Sequence, residues 1–372
     1  MRKLFSVACL SLLFVLICAA LWYRASTFVP SSPTHAPIHR IQVQTQAPTP
    51  SSYSSLRTLG NIHHLLIGTA VNADALQHDS QYRQILADEF SEAVPENSMK
   101  MDTVETGPSH YNFTQADALV AFALAHHMTV HGHVLVWANT TIPSWLQHAH
   151  FTRQEAMSLL HDYITTMVTR YRHRVTSWDV ASEILSPSGS LRPCYWLQMI
   201  GPSYIALAFQ WAHEADPSAQ LYYNDYGIDT PGQKSHQAYV LLSTLLAQHI
   251  PITGIGFEMH ELGYVLIPEQ VISRTLQQFA SLGLSVSISE LDVSVYPYRG
   301  TLQQKVQYQA HVYGEVLRAC LSLPQCTSFT MWGFTDRYSW VPQFTHHLDF
   351  PLIFDENYQP KPAYYALIHL LS

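Results

Sequence analysis

The sequence predicts an α/β fold and, within that class, a closed (β/α)8 TIM barrel. Two observations carry the prediction. From residue 60 onward, eight short runs of strand character alternate with segments of helical character, the pattern of a parallel sheet built from βα units. About 310 residues make up this region, close to the size such a barrel needs. A third observation removes the rival, a doubly wound open sheet: no GxGxxG turn follows the first run.

The strand candidates, in order, are LLIGTA (65–70), SEAVPEN (91–97), TVHGHVLVW (129–137), SWDVASE (177–183), QLYYNDYG (220–227), TGIGFEMH (253–260), SVSISELDV (285–293) and SFTMWGFT (328–335). The fourth, with Trp178 and Val180, reads as a short buried strand. Segments such as QADALVAFALAHH (115–127) and TLQQKVQYQAHVYGEVLRAC (301–320) supply the helices between them.

The rest of the chain divides simply. Of 372 residues, 47% are hydrophobic, enough for a sizeable core, and the net charge of −8 gives no basic footprint for nucleic acid. Arg2 and Lys3 precede a run, residues 4–23, that carries no charge. A positive start and an apolar run are the signature of export. Residues 1–26 are therefore expected to be a signal peptide or an N-terminal membrane anchor, and the protein to be secreted or tethered at the cell surface. Residues 27–57, rich in Pro, Ser and Thr without apolar periodicity, read as a linker. The folded domain is expected over 58–372. Of five cysteines, Cys320 and Cys326 flank a turn containing Pro324. In an exported domain that spacing favours a local disulfide over a metal site. Cys194 has no evident partner.

In such barrels chemistry gathers at the C-terminal ends of the strands. The second run ends in Glu96 and Asn97, with Lys100 shortly after. The third carries His133 and Trp137, four apart and so on one face of a regular strand. The fourth ends in Ser182 and Glu183, and the fifth in Asn224, Asp225 and Tyr226. The sixth ends in Glu258 and His260. The seventh carries Glu290 and Asp292, and the eighth Trp332, followed by Asp336 and Trp340. Polar groups and indoles at nearly every strand end are hard to explain as core packing. They suit a sugar polymer, whose rings stack on indole faces and whose hydroxyls bond Asn, His and Glu. Two carboxylates on separate strands, Glu183 and Glu290, point to glycoside hydrolysis.

The motifs PENSMK (95–100), HGHVLVWANTTIPSWL (131–146), WDVASE (178–183), YYNDY (222–226), GIGFEMH (254–260), ISELD (288–292) and MWGFTDRYSW (331–340) occur in this order. Together they resemble glycoside hydrolase family 10, the endo-β-1,4-xylanases, across roughly residues 59–371. The CLSLPQC turn resembles a cystine of that family. The resemblance implies a general acid/base at Glu183 and a nucleophile at Glu290, acting with retention of configuration and carboxyl groups about 5–5.5 Å apart. It implies that Glu96, Asn97 and Lys100 hold a neighbouring sugar, and that His133 and Trp137 wall the subsite of cleavage. His260 would bond the nucleophile, and Trp332 and Trp340 would close over the sugars. Three positions depart from the pattern around that subsite: Ser182 replaces Asn, Ala138 replaces His, and Glu258 replaces Gln. A protonated Glu258 would donate a hydrogen bond as the amide does.

Plainer readings stand beside these. His131, His133 and His260 could form a metal site, but a sugar subsite explains them better, and no metal or organic cofactor is expected. Asp179 and Asp292 read as orienting groups as readily as catalytic ones. Trp145, Trp178, Trp196 and Trp211 read as core, and the pairs His63–His64, His126–His127 and His346–His347 as surface. The expected partner is a polysaccharide, xylan or a related β-glycan, bound by a monomer. A retaining glycosidase acting on another β-glycan and a non-catalytic glycan-binding barrel are the alternatives.

Overall fold

The computed structural model describes residues 54–139, 142–263 and 266–372. The expected targeting segment, 1–26, and the linker up to residue 53 lie outside the described residues. Eight parallel strands run from β1 (Leu66–Val71) through β2 (Glu92–Pro95), β3 (Thr129–Gly132), β4 (Ser177–Ser182), β5 (Gln220–Asp225), β6 (Gly254–Phe257) and β7 (Ser285–Val293) to β8 (Cys326–Met331). Each pairs with the next, and β8 returns to β1 with Ile67 opposite Phe329. The ring closes without an edge, as expected of a (β/α)8 barrel.

All eight expected runs form strands, but two are broken. Gly132 lies opposite Trp178, and Val136 opposite Ala181. Four steps on one chain therefore match three on the other, and the extra residue is looped out as a bulge. Residues 129–137 thus form β3 and a separate two-residue strand, Val136–Trp137. The period-2 count linking His133 to Trp137 does not hold. Trp137 re-enters the sheet beside Ser182 instead. The reverse offset separates β6 from the short strand His260–Glu261: Phe257 faces Ile288 and His260 faces Asp292, so the extra residue lies on β7.

The helices form an outer layer over a continuous apolar core. Thr152 and Glu155 form a capping box at the start of Arg153–Arg170, and Thr301 and Gln304 do the same for Leu302–Leu321, so each start satisfies its free amides. The first described helix, Leu56–Ile62, is capped by Ser55 and buries Leu56 completely. Trp178 and Trp196 are buried, Trp145 and Trp211 pack half-buried against the core, and all six residues of the paired histidines are exposed.

Cys320 and Cys326 are bonded, with Cα atoms 5.3 Å apart, and Cys194 has no disulfide partner among the described residues. The bridge ties the end of Leu302–Leu321 to the start of β8. Replacing both cysteines with serine is expected to lower the unfolding free energy by about 2 kcal/mol, because the short loop regains its freedom in the unfolded chain. Urea unfolding reads this as a lower midpoint. An unshifted midpoint would mean that the helix and β8 hold the turn unaided.

Candidate active site

A cleft of about 830 Å³ opens at the C-terminal ends of the strands, and all twelve candidate residues line it: Glu96, Asn97, Lys100, His133, Trp137, Ser182, Glu183, Glu258, His260, Glu290, Trp332 and Trp340. Ala138 does not. It is buried in the core, and its amide donates to the Ser182 carbonyl at 3.0 Å. Of the three departures from the family pattern, only Ser182 and Glu258 face the cleft.

Glu183 follows the last residue of β4 and is buried. Both of its carboxylate oxygens are held. The Trp137 indole Nε1 donates to Oε1 at 2.7 Å, and the Asn139 amide donates to Oε2 at 2.7 Å. Arg192 fixes this arrangement from behind. Its guanidinium donates to the Glu183 carbonyl (2.9 Å), to Asn139 Oδ1 (2.8 Å) and to the Tyr226 hydroxyl (2.7 Å). Neither Asn139 nor Arg192 was foreseen from the sequence. Both sit in loops, outside any periodic pattern. The one clue was Asn139's place within the 131–146 motif.

Glu290, on β7, is equally buried. The Asn224 side-chain amide donates to its Oε1 at 2.7 Å, and His260 Nε2 meets its Oε2 at 3.1 Å. The other His260 nitrogen meets Asp292 at 3.0 Å. Donating to both carboxylates requires an imidazolium. Burial opposes that charge, but Asp292 and then Glu290 hold the His260 pKa well above its usual range. Trp340 Nε1 also donates to Asp292, at 2.7 Å, so Asp292 orients both the histidine and the indole.

Glu258 is the third carboxyl. It is buried, accepts from the same Asn224 amide at 3.1 Å and from the Ser182 hydroxyl at 3.3 Å. Burial pushes its pKa well up, and the nearby charges of Glu290 and Glu183 push it further. Glu261, also at the cleft, is pushed up to about 8 by burial and then by Asp229 and Asp292.

The opposite wall comes from β2 and β3. Asn72 donates to Glu96 at 3.0 Å, and Lys100 donates to Asn97 at 2.9 Å while lying 4.4 Å above the Trp137 ring. Burial lowers the Lys100 pKa, against the pull of Glu290 and Glu96. His133 bonds Asp179 at 2.8 Å and packs its ring edge-on to Trp332 at 4.9 Å. His131 turns away from the cleft to Ser177 (2.8 Å) and Asp179, so the three histidines do not converge as a metal site. Two groups of carboxylates and histidines do cluster, His133, Asp179 and Glu290, and Glu258, His260 and Glu290; His133 bonds Asp179, His260 bonds Glu290, and Asn224 bonds both Glu290 and Glu258.

The sign of the Glu258 shift gives a test. Its folded pKa lies above the ordinary 4.5, so the folded protein binds the extra proton. Stability from this group is full below that value and is lost as pH rises toward the folded value. Glu258→Gln should therefore flatten the alkaline fall in the urea midpoint, gaining on the parent as pH rises. A gap that stayed constant with pH would show that Glu258 is ionised in the folded protein.

Comparison with known proteins agrees with this geometry. The family model "Glycosyl hydrolase family 10" matches residues 55–370. The chain is 41% identical over 319 residues to endo-1,4-beta-xylanase B of Thermotoga neapolitana, covering 85% of this chain and 91% of the relative. It is 35% identical over 328 residues to an endo-1,4-beta-xylanase of Agaricus bisporus, covering 86% and 95%. Among solved structures, native xylanase 10B from Thermotoga maritima matches with a TM-score of 0.82 at 41% identity, over 85% of this chain and 98% of that one. Xylanase 10B from Thermotoga petrophila in complex with xylobiose matches with a TM-score of 0.83 at 40% identity, over 86% and 98%. On the match over nearly the whole barrel, this chain belongs to glycosyl hydrolase family 10.

Proposed function

We propose that this protein is a retaining endo-β-1,4-xylanase that cleaves internal β-1,4-xylosidic bonds, with Glu290 as nucleophile and Glu183 as general acid/base. The observation that carries the residue roles is the pair of buried carboxylates in one cleft, each held by its own donors: Trp137 and Asn139 on Glu183, Asn224 and His260 on Glu290. In the first step a Glu290 oxygen bonds the anomeric carbon as the glycosidic C–O bond breaks, and Glu183 gives its proton to the departing oxygen. In the second, Glu183, now ionised, takes a proton from water. The water oxygen bonds the anomeric carbon and Glu290 leaves as a carboxylate. Two inversions give retention. His260 and Asn224 favour the ionised nucleophile by donating to it. Glu96, Asn97 and Lys100 bind hydroxyls of a neighbouring sugar, and Trp332 and Trp340 cover the rings. The charged start and apolar run at residues 2–23 support export, which suits a polymeric substrate outside the cell.

Incubation with arabinoxylan and a panel of β-glycans, followed by product analysis, tests the substrate. Xylo-oligosaccharides formed with β-configuration are expected, and release from another glycan alone would overturn the reading. Glu290→Gln should abolish turnover while glycan binding persists; near-native activity would remove Glu290 from its role. Glu258→Gln, beyond its effect on stability, should carry the alkaline limb of the rate profile to higher pH.

Arg192 provides a sharper test of the acid. Without its guanidinium, Asn139 and the Glu183 backbone lose their brace. Proton donation matters most for a poor leaving group. Arg192→Ala should therefore cost roughly tenfold or more in kcat on xylan, and far less on an aryl xylobioside with an acidic phenol. Equal losses on both substrates would place the effect in folding or binding instead.

A further inference from the structure

We infer that Phe344, with the stacked pair Tyr296 and His347, forms a preorganised platform at the cleft rim that binds xylose units beyond those enclosed by the cleft. The inference rests on the proposed xylanase reading. It begins from misplaced apolar surface. Tyr296 (47% exposed), Phe344 (61%) and Leu348 (78%) are large apolar side chains left in solvent. All three fall in the segments after β7 and β8, on the cleft side of the barrel. Clustered exposed apolar groups cost free energy and mark binding surfaces.

The platform continues the cleft. The His260 and Trp340 rings lie 5.0 Å apart, Trp340 and Phe344 lie 4.8 Å apart, and Phe344 itself lines the outer cleft. Three residues further on, His347 stacks on Tyr296 at 3.8 Å with rings only 10° from parallel. Neighbouring rings thus lead outward from the buried centre as far as Phe344, and the Tyr296–His347 pair joins the same two loops beyond it in sequence. A sugar ring has an apolar face of C–H bonds that packs on such a surface while its hydroxyls stay in water. Gln343, also at the cleft, adds an amide for those hydroxyls.

The two segments are locked together, so the platform is set before the glycan arrives. Asp349 is 2% exposed. Its carboxylate accepts from the Val295 amide (2.8 Å), the Tyr296 amide (3.2 Å), the Phe350 amide (2.8 Å) and the Ser294 hydroxyl. One buried side chain from the segment after β8 therefore fixes the backbone after β7. His346, at φ +58°, turns the chain so that His347 reaches Tyr296. A non-glycine residue held there signals an over-determined loop. Rigid aromatics bind with little ordering cost.

The test measures kcat/KM on xylotriose through xylohexaose for the parent, Phe344→Ala, Phe344→Trp and Tyr296→Ala. The Phe344→Ala loss should grow with chain length to roughly three- to tenfold on the longest substrate. Phe344→Trp should retain the parent's length dependence, and Tyr296→Ala should show a smaller loss of the same form. A loss equal at every length, or none, would overturn the platform. A parent dimer in solution that Phe344→Ala dissolves would overturn it too, assigning the patch to a second copy of the chain. If the parent left every oligosaccharide intact, the xylanase reading itself would fall, a result distinct from a parent that cleaves but ignores Phe344.

Discussion

The Asn224 side chain carries two amide hydrogens, and both are committed to carboxylates: Glu290 at 2.7 Å and Glu258 at 3.1 Å. Its oxygen accepts from Ser289 at 2.6 Å, which fixes the amide's orientation. Its backbone carbonyl accepts from the Glu183 amide at 3.0 Å. One buried residue on β5 therefore sets positions on β6 and β7 and at the end of β4. The arrangement needs space that only glycine leaves. A Cβ on Gly256 would lie 2.2 Å from Asn224 Oδ1. An aspartate at 224 would offer neither amide hydrogen and would set a further carboxylate against Glu290 and Glu258.

Placing so many polar groups in a barrel mouth is costly unless each finds a partner. The layer below pairs most of its own polar groups and reaches the mouth through Asp179 and His133. Glu92 accepts from Thr330 at 3.0 Å, Ser287 and Ser328 share a bond of 2.6 Å, and Asp179 sits between His131 and His133. Burial works against the charge of Asp179, yet the two histidines hold its pKa far below the usual carboxylate range. His131 is correspondingly raised, with burial opposing and Asp179 prevailing. This charged stem orients His133 beneath Trp332, so the cleft floor is fixed from inside the barrel. The same desolvation makes Glu258 resist ionisation, and the charges of Glu290 and Glu183 add to it, while only a shared amide and the Ser182 hydroxyl donate to it.

The barrel was legible because eight short runs of strand character alternate with helical segments, and the polar residues and indoles at the strand ends are hard to explain as core packing. Glu96, Glu183, His260 and Glu290 could be picked out for that reason. The bulges at 132–136 and 288–292 were not legible, because each depends on the register of a neighbouring strand distant in sequence. Arg192 left no trace, and Asn139 only its place in the 131–146 motif, for a related reason: a loop residue acquires meaning only from what the fold brings beside it. Ala138 misled in the opposite direction. Its neighbours Trp137 and Asn139 face the cleft, while it faces the core. Glu258 was visible as a departure in charge, but its sharing of one amide with Glu290 was not.

Strain at the strand ends completes the account of how the carboxylates reach the cleft. Glu183 has φ +52° and Met259, beside Glu258, has φ +51°. Left-handed backbone at a non-glycine residue costs on the order of 1 kcal/mol. A regular strand would carry alternate side chains to opposite faces and leave the sheet in a straight line. Reversing the backbone sign at its end turns the chain, so that a residue just past β4 aims into the mouth of the barrel. The turn persists because the surroundings over-determine it. The Glu183 amide donates to Asn224, Arg192 grips its carbonyl, and the Glu258 amide donates to the Asp225 carbonyl at 3.2 Å. Asp225 is itself pinned by Lys234 at 2.6 Å and by the Tyr223 hydroxyl at 2.6 Å. The strained positions of β4 and β6 are thus held through β5, the strand that carries Asn224, and the two devices reinforce each other.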